Sequence, residues 1–217
     1  MSPPAIETEH LSKRYGRRPI VRDFTFQVHP GEVYALVGPN GAGKTTVIRL
    51  VAGLAFPTSG TVKMLGMDPH EHPAIRRKLG AVVEAPAAFY PYMSGRGNLQ
   101  LHAGLAGGVP ASRIGEVLEM MELGPAADRP VGVYSLGMRQ RLGVAAAVLT
   151  HPEVLILDEP ASGMDPLSLH LVHRVLKHAA ADGTAVLLST HHLDEVAAYC
   201  NRVGILEEGA LIDEIDL

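Results

Sequence analysis

Five consecutive apolar residues, Val33-Tyr34-Ala35-Leu36-Val37, sit between turn residues and predict a short strand buried on both faces. The same pattern returns at Val154-Leu155-Ile156-Leu157, Val186-Leu187-Leu188 and Val203-Gly204-Ile205-Leu206, with a briefer run at 81–83. Between these runs the apolar positions change to a helical period. Residues 44–54 carry Val47, Ile48, Val51 and Leu54, and 166–181 carry Leu171, Val172, Val175, Leu176 and Ala179. A further helix is predicted over 192–200. Alternation of buried strands with one-sided helices predicts an α/β fold whose core sheet is mainly parallel.

The first third reads differently. Strands are expected at 5–8 and at 20–28, the latter with a Phe24-Phe26-Val28 alternation, and between them lies the segment 11–16, which ends in a turn. With a third strand at 61–65 they predict an antiparallel β-subdomain beside the core. A short helix follows at 72–78. From Glu84 to Thr150 the pattern is helical and punctuated by Pro86, Pro91, Pro110, Pro125 and Pro130, with an Ile114-Val117-Leu118-Met121 stripe. This block reads as a helical subdomain, about 84–150, inserted into one domain spanning 1–217. A Glu208-Gly209 turn leads to a last strand at 210–213.

The chemistry begins where the first buried strand ends. Gly38-Pro39-Asn40-Gly41-Ala42-Gly43-Lys44-Thr45 matches G-x-x-x-x-G-K-[ST], the phosphate-binding loop between a strand and a helix. Its amides, backed by the helix N-terminus, are suited to phosphate oxygens. In that motif Lys44 reaches the β- and γ-phosphates and Thr45 offers a hydroxyl to Mg²⁺, while Thr46 adds a phosphate contact. Asp158-Glu159 stands at the end of another buried run, where parallel sheets place ligands. Asp158 would hold Mg²⁺ and Glu159 would polarise an attacking water, a role worth about 10²–10⁴-fold in rate. Farther back, Tyr134-Ser135-Leu136-Gly137-Met138-Arg139-Gln140-Arg141 opens a helix. Ser135 is a natural N-cap, yet glycine at 137 costs up to about 1 kcal/mol in a helix, so a second anion site is expected there.

Composition narrows the field. The 217 residues include one cysteine, Cys200, which excludes an internal disulfide and multi-cysteine zinc sites. A formal charge of −4 gives no basic field for nucleic acid. No apolar run approaches the roughly 18–20 residues of a membrane span, so direct membrane insertion is not expected. His170, His173 and His178 share one predicted helix without a carboxylate or cysteine to complete a metal set, and are read as solvated.

Taken in order, Tyr15, the loop 38–45, segment 80–86, the 134–141 segment, Asp158-Glu159, Ala161-Ser162-Gly163-Met164-Asp165 and His191 resemble the ATP-binding-cassette (ABC) ATPases over essentially the whole chain. That resemblance implies ATP and Mg²⁺ as ligands, Tyr15 stacking on adenine, and His191 contacting the γ-phosphate. It implies further that Ser135, Leu136, Gly137 and Met138 close over the nucleotide of a second copy, with Ser162, Gly163 and Asp165 at the dimer interface. Two departures stand out: Glu84 where many members have glutamine, still able to coordinate Mg²⁺, and Ser-Leu-Gly-Met where Ser-Gly-Gly-Gln is commoner. Both resemble the drug, bacitracin and lantibiotic exporter branch. The expectation is a cytoplasmic, Mg-dependent ATPase, peripheral to the membrane through a transmembrane permease subunit that Phe89-Tyr90-Pro91-Tyr92-Met93 would help to contact. The alternative is a soluble ABC ATPase not coupled to transport. A kinase or GTPase would leave the 134–141 segment without a purpose.

Overall fold

A computed structural model of the chain describes residues 2–83, 89–191 and 196–217. Among them β1 (Ile6–Tyr15), β2 (Arg18–Val28) and β4 (Ser59–Met64) form an antiparallel sheet in the order β2-β1-β4. A second sheet has the order β5-β6-β7-β3-β8-β9, from β3 (Val33–Val37), β5 (Leu79–Val82), β6 (Val154–Asp158), β7 (Ala185–Thr190), β8 (Arg202–Glu207) and β9 (Ala210–Asp216). Its pairings are parallel except β8 with β9, which a tight turn joins antiparallel. The mainly parallel core, the antiparallel β-subdomain and the mixed α/β class are as the sequence predicts.

The continuous apolar runs have a direct cause. Tyr34, Leu36, Ile156 and Leu187 face one core, shared with α1 (Lys44–Val51) and with Phe24 and Phe26 of the β-subdomain. Val33, Ala35, Val37, Leu155, Leu157, Val186 and Leu188 face the other. That second core also holds residues of α2 (Gly95–Leu105), α3 (Ala111–Met120), α4 (Leu136–Val148) and α5 (Pro166–Ala181). Both strand faces are therefore dry, and alternation is lost. The Ile114-Val117-Leu118-Met121 stripe packs into this core, as its spacing predicts.

Several boundaries move. β1 runs to Tyr15 instead of stopping near residue 8, because irregular pairing around His10, which adopts φ +50°, lets the strand bend and continue. The turn expected at the end of 11–16 falls at residues 16–17. Helix α1 ends at Val51, three residues early, and Gly53 at φ +69° leads the chain away. Residues 73–78 form a 3-10 turn, and the last strand extends to Asp216. The helix expected over 192–200 lies partly outside the described residues.

His173 is the clear correction. It is partly buried: its ring stacks on Tyr199 at 3.7 Å, and its Nε2 is buried with no hydrogen-bond partner among the described residues. Burial, reinforced by His170 and then Lys177, pushes it down to about 4. His178 is exposed beside Asp182, 3.6 Å away. Cys200 is buried, and burial pushes its thiol up to about 12.

Candidate nucleotide site

Strand order brings the chemistry together. β3 lies beside β7, and β7 beside β6, with Val37 opposite Thr190 and Asp158 opposite Ser189. The loop after β3, the carboxylates ending β6 and the Ser189-Thr190-His191 run ending β7 thus share one carboxyl edge of a parallel sheet.

Loop 38–45 is built with little tolerance. A Cβ at Gly38 would lie 2.2 Å from the Leu206 carbonyl oxygen, and Gly43 has φ +108° with Ile20 O 2.8 Å from where a Cβ would stand. Either substitution would displace the loop against neighbouring backbone. Lys44 opens α1 and is only 6 % exposed. Its ammonium donates to Gly38 O at 2.7 Å and Pro39 O at 3.3 Å, and lies 3.2 Å from Glu159 Oε1.

Asp158 and Glu159 have different surroundings. Asp158 accepts from Thr45 Oγ1 at 2.8 Å through Oδ2 and from Ser189 Oγ at 2.6 Å through Oδ1. Ser189, fully buried, also accepts the Glu159 amide at 2.9 Å. Glu159 itself has φ +48°, a left-handed conformation that few non-glycine residues adopt. That bend turns its carboxylate away from Asp158 toward Lys44 and toward His191, whose Nδ1 lies 2.8 Å from Oε2. A carboxylate held between a lysine and a histidine at the mouth of a phosphate loop is placed to orient a water.

Arg18, Ile20, Asn40, Gly41, Gly43, Lys44, Thr45, Thr46 and Glu159 line a cavity of about 340 Å³. Tyr15, half exposed, pairs with Arg18 across the β1–β2 hairpin at its rim. A hollow of similar size, about 350 Å³, lies at the other end of the strands among His151, Glu153, His178 and Asp182. Thr45 and Asp158 present hard oxygen donors side by side, which suits Mg²⁺. Among the described residues no group of three or more His, Cys, Asp or Glu could hold a metal.

The 134–141 segment sits elsewhere. Ser135 caps α4 by accepting the Met138 amide at 3.2 Å, and Ser135 and Leu136 are exposed. Among the described residues a Cβ at Gly137 would meet nothing nearer than Ser168 Oγ at 3.8 Å and Asp165 Oδ2 at 3.9 Å. Asp165 caps α5, accepting the Ser168 amide at 3.0 Å and hydroxyl at 2.7 Å, and these hold its carboxyl below the usual range. None of Ser135, Leu136, Gly137 or Met138 lines the cavity of its own chain. Glu84 lies outside the described residues. Sequence reasoning singled out neither Ser189 nor Arg18. The signals were available: a serine closing a buried strand, and an arginine three residues beyond Tyr15 across a tight turn.

These features define a nucleotide-binding cassette. Residues 21–162 match the ABC transporter family, and the chain belongs to it as an ATP-binding ATPase. It is 40 % identical over 214 residues to the bacitracin transport ATP-binding protein BcrA of Enterococcus faecalis, covering 98 % of this chain and 69 % of that protein. The fold is shared with a solved ATP-binding subunit of an ABC transporter at 32 % identity and a TM-score of 0.91, covering 98 % and 90 % of the two chains. It is shared too with a dimeric bacterial ABC transporter cassette at 25 % identity and 0.87, covering 98 % of each. Among the described residues no helix is long and apolar enough to cross a membrane.

Proposed function

We propose that two copies of this cassette sandwich ATP at the cytoplasmic face of a membrane. Each nucleotide is held by loop 38–45 of one copy and covered by Ser135, Leu136, Gly137 and Met138 of the other. Hydrolysis drives export of drug- or peptide-like compounds through a separate membrane-spanning permease. The observation that carries the reading is Gly137. The described residues of its own chain leave room for a side chain there, so a glycine at a helix cost of about 1 kcal/mol answers to something approaching from outside. A helix N-terminus with an exposed serine suits a phosphate.

In this arrangement Tyr15 stacks on adenine, Lys44 and the loop amides hold the phosphates, and Thr45 and Asp158 hold Mg²⁺. The ion would neutralise phosphate charge as the terminal group leaves. Glu159 orients and deprotonates the water, and His191 fixes the second carboxylate oxygen and reaches the terminal phosphate. Ser162, Gly163 and Asp165 lie at the interface. The permease contact falls at Tyr90 and Tyr92, which are exposed with rings 5.8 Å apart, whereas Phe89 turns inward beside His102. The relative's role in bacitracin transport and the dimeric neighbour support this reading.

The test is ATP turnover of the purified protein at rising enzyme concentration, with affinity capture from solubilised native membranes alongside. Turnover rising faster than linearly, and co-purification of a membrane-spanning subunit, are expected. Strictly linear turnover would overturn the paired site. Active enzyme that captures no membrane protein would favour the uncoupled, soluble ATPase.

A further inference from the structure

Gln140 is 6 % exposed, on the face of α4 turned toward the chain after Glu159. Its Nε2 donates to the Ser162 carbonyl, while its Oε1 is buried with no hydrogen-bond partner among the described residues. The Ser162 amide donates in turn to the Glu159 carbonyl at 3.1 Å. Two hydrogen bonds thus connect the backbone of Glu159, whose carboxylate touches Lys44 and His191, to the helix that Ser135 caps. A second contact runs beside the first: Leu136 Cδ2 lies 3.3 Å from where a Gly163 Cβ would stand.

An amide with one oxygen stranded in a buried site is a poor choice for stability alone. A methionine of similar length would fill the space, keep the helix and strand no polar atom, and the exposed Ser162 could give its carbonyl to water. The retained donor needs another purpose.

We infer that Gln140 is a positioning residue that ties the placement of Ser135 to the state of Glu159 in the same chain. The inference rests on the sandwich reading, in which Ser135 serves the other copy's nucleotide. Gln140 then transmits ATP occupancy at one site to the cap offered to the second, and the two sites fill together. With the strap cut, each site still holds ATP through its own loop, but the caps lose their register and closure needs more ATP.

The test compares Glu159→Gln with the double variant Glu159→Gln, Gln140→Met. Dimer formation against ATP–Mg is followed by light scattering, a fluorescent ATP analogue reports binding by the monomer, and thermal unfolding is recorded. The double variant should need about tenfold more ATP for half-maximal dimer, with unchanged analogue affinity and an equal or higher melting temperature. If the parent dimerises and the double variant does so at the same ATP concentration, the inference falls alone. If the parent stays monomeric at saturating ATP, the sandwich reading falls and takes the inference with it. A double variant that melts much earlier assigns Gln140 a structural role and refutes the strap.

Discussion

Ser189→Ala removes one oxygen atom and disturbs both halves of the hydrolytic site. The hydroxyl is fully buried, donates to Asp158 Oδ1 at 2.6 Å and accepts the Glu159 amide at 2.9 Å. Alanine leaves a carboxylate oxygen and an amide with no partner. A hydrogen bond to a charged group contributes about 1.5–3 kcal/mol and an orphaned buried amide costs about 1–3 kcal/mol. The small cavity admits partial recovery, so a net loss of about 2–4 kcal/mol is expected. For a chain of 217 residues that corresponds to a melting temperature lower by roughly 5–15 °C. Turnover should suffer through a different route. The Glu159 amide is pinned by Ser189, and its left-handed φ of +48° is costly to hold without support. We expect kcat to fall about 10- to 100-fold with KM for ATP changed less than threefold, because loop 38–45 is untouched. Calorimetry and phosphate-release kinetics measure the two effects. If both the melting temperature and kcat stay at wild-type values, the Asp158–Ser189–Glu159 linkage has no bearing on the site.

Other expected outcomes are simpler. Glu159→Gln should lower turnover by about 10²–10⁴-fold while preserving ATP binding, and unchanged turnover in a phosphate-release assay would remove Glu159 from the mechanism. His173 is held near 4 in the folded chain against an ordinary value of 6.5, so the unfolded chain takes up the proton first. Its contribution is present above pH 6.5 and disappears as pH falls toward 4, amounting to about 1–2 kcal/mol between pH 6.5 and 5. His173→Phe should flatten that part of a stability–pH curve, and an unaltered slope would refute the assignment. Burial of Cys200 should leave the native thiol unreactive toward a disulfide reagent at pH 7.5, with reaction appearing on unfolding. Prompt stoichiometric labelling of the folded protein would contradict the packing around it.

Much of the site was legible because its chemistry is local in the chain. Lys44 and Thr45 follow a buried strand directly, and Asp158-Glu159 end another, so motif and context could be read together. The strand order was not legible. That β6 and β7 are neighbours, placing Ser189 against Asp158, depends on crossovers that sequence spacing does not specify. The length of β1 was hidden because its continuation past residue 8 depends on a mid-strand positive φ and irregular pairing that sequence does not display. His173 was misread for a related reason. Its stacking partner, Tyr199, comes from beyond β7. Long-range partners decide such cases, and a single sequence does not reveal them.

The account depends on ATP being enclosed by two different copies of the chain. The most direct measurement is a cryo-EM or crystal structure of the Glu159→Gln protein loaded with ATP and Mg²⁺. The expected result is a pair of copies in which Ser135 Oγ of one lies within about 3 Å of the terminal phosphate held by Lys44 of the other. A structure in which that phosphate is bound by Lys44 while every Ser135 hydroxyl lies far from any nucleotide would contradict the account.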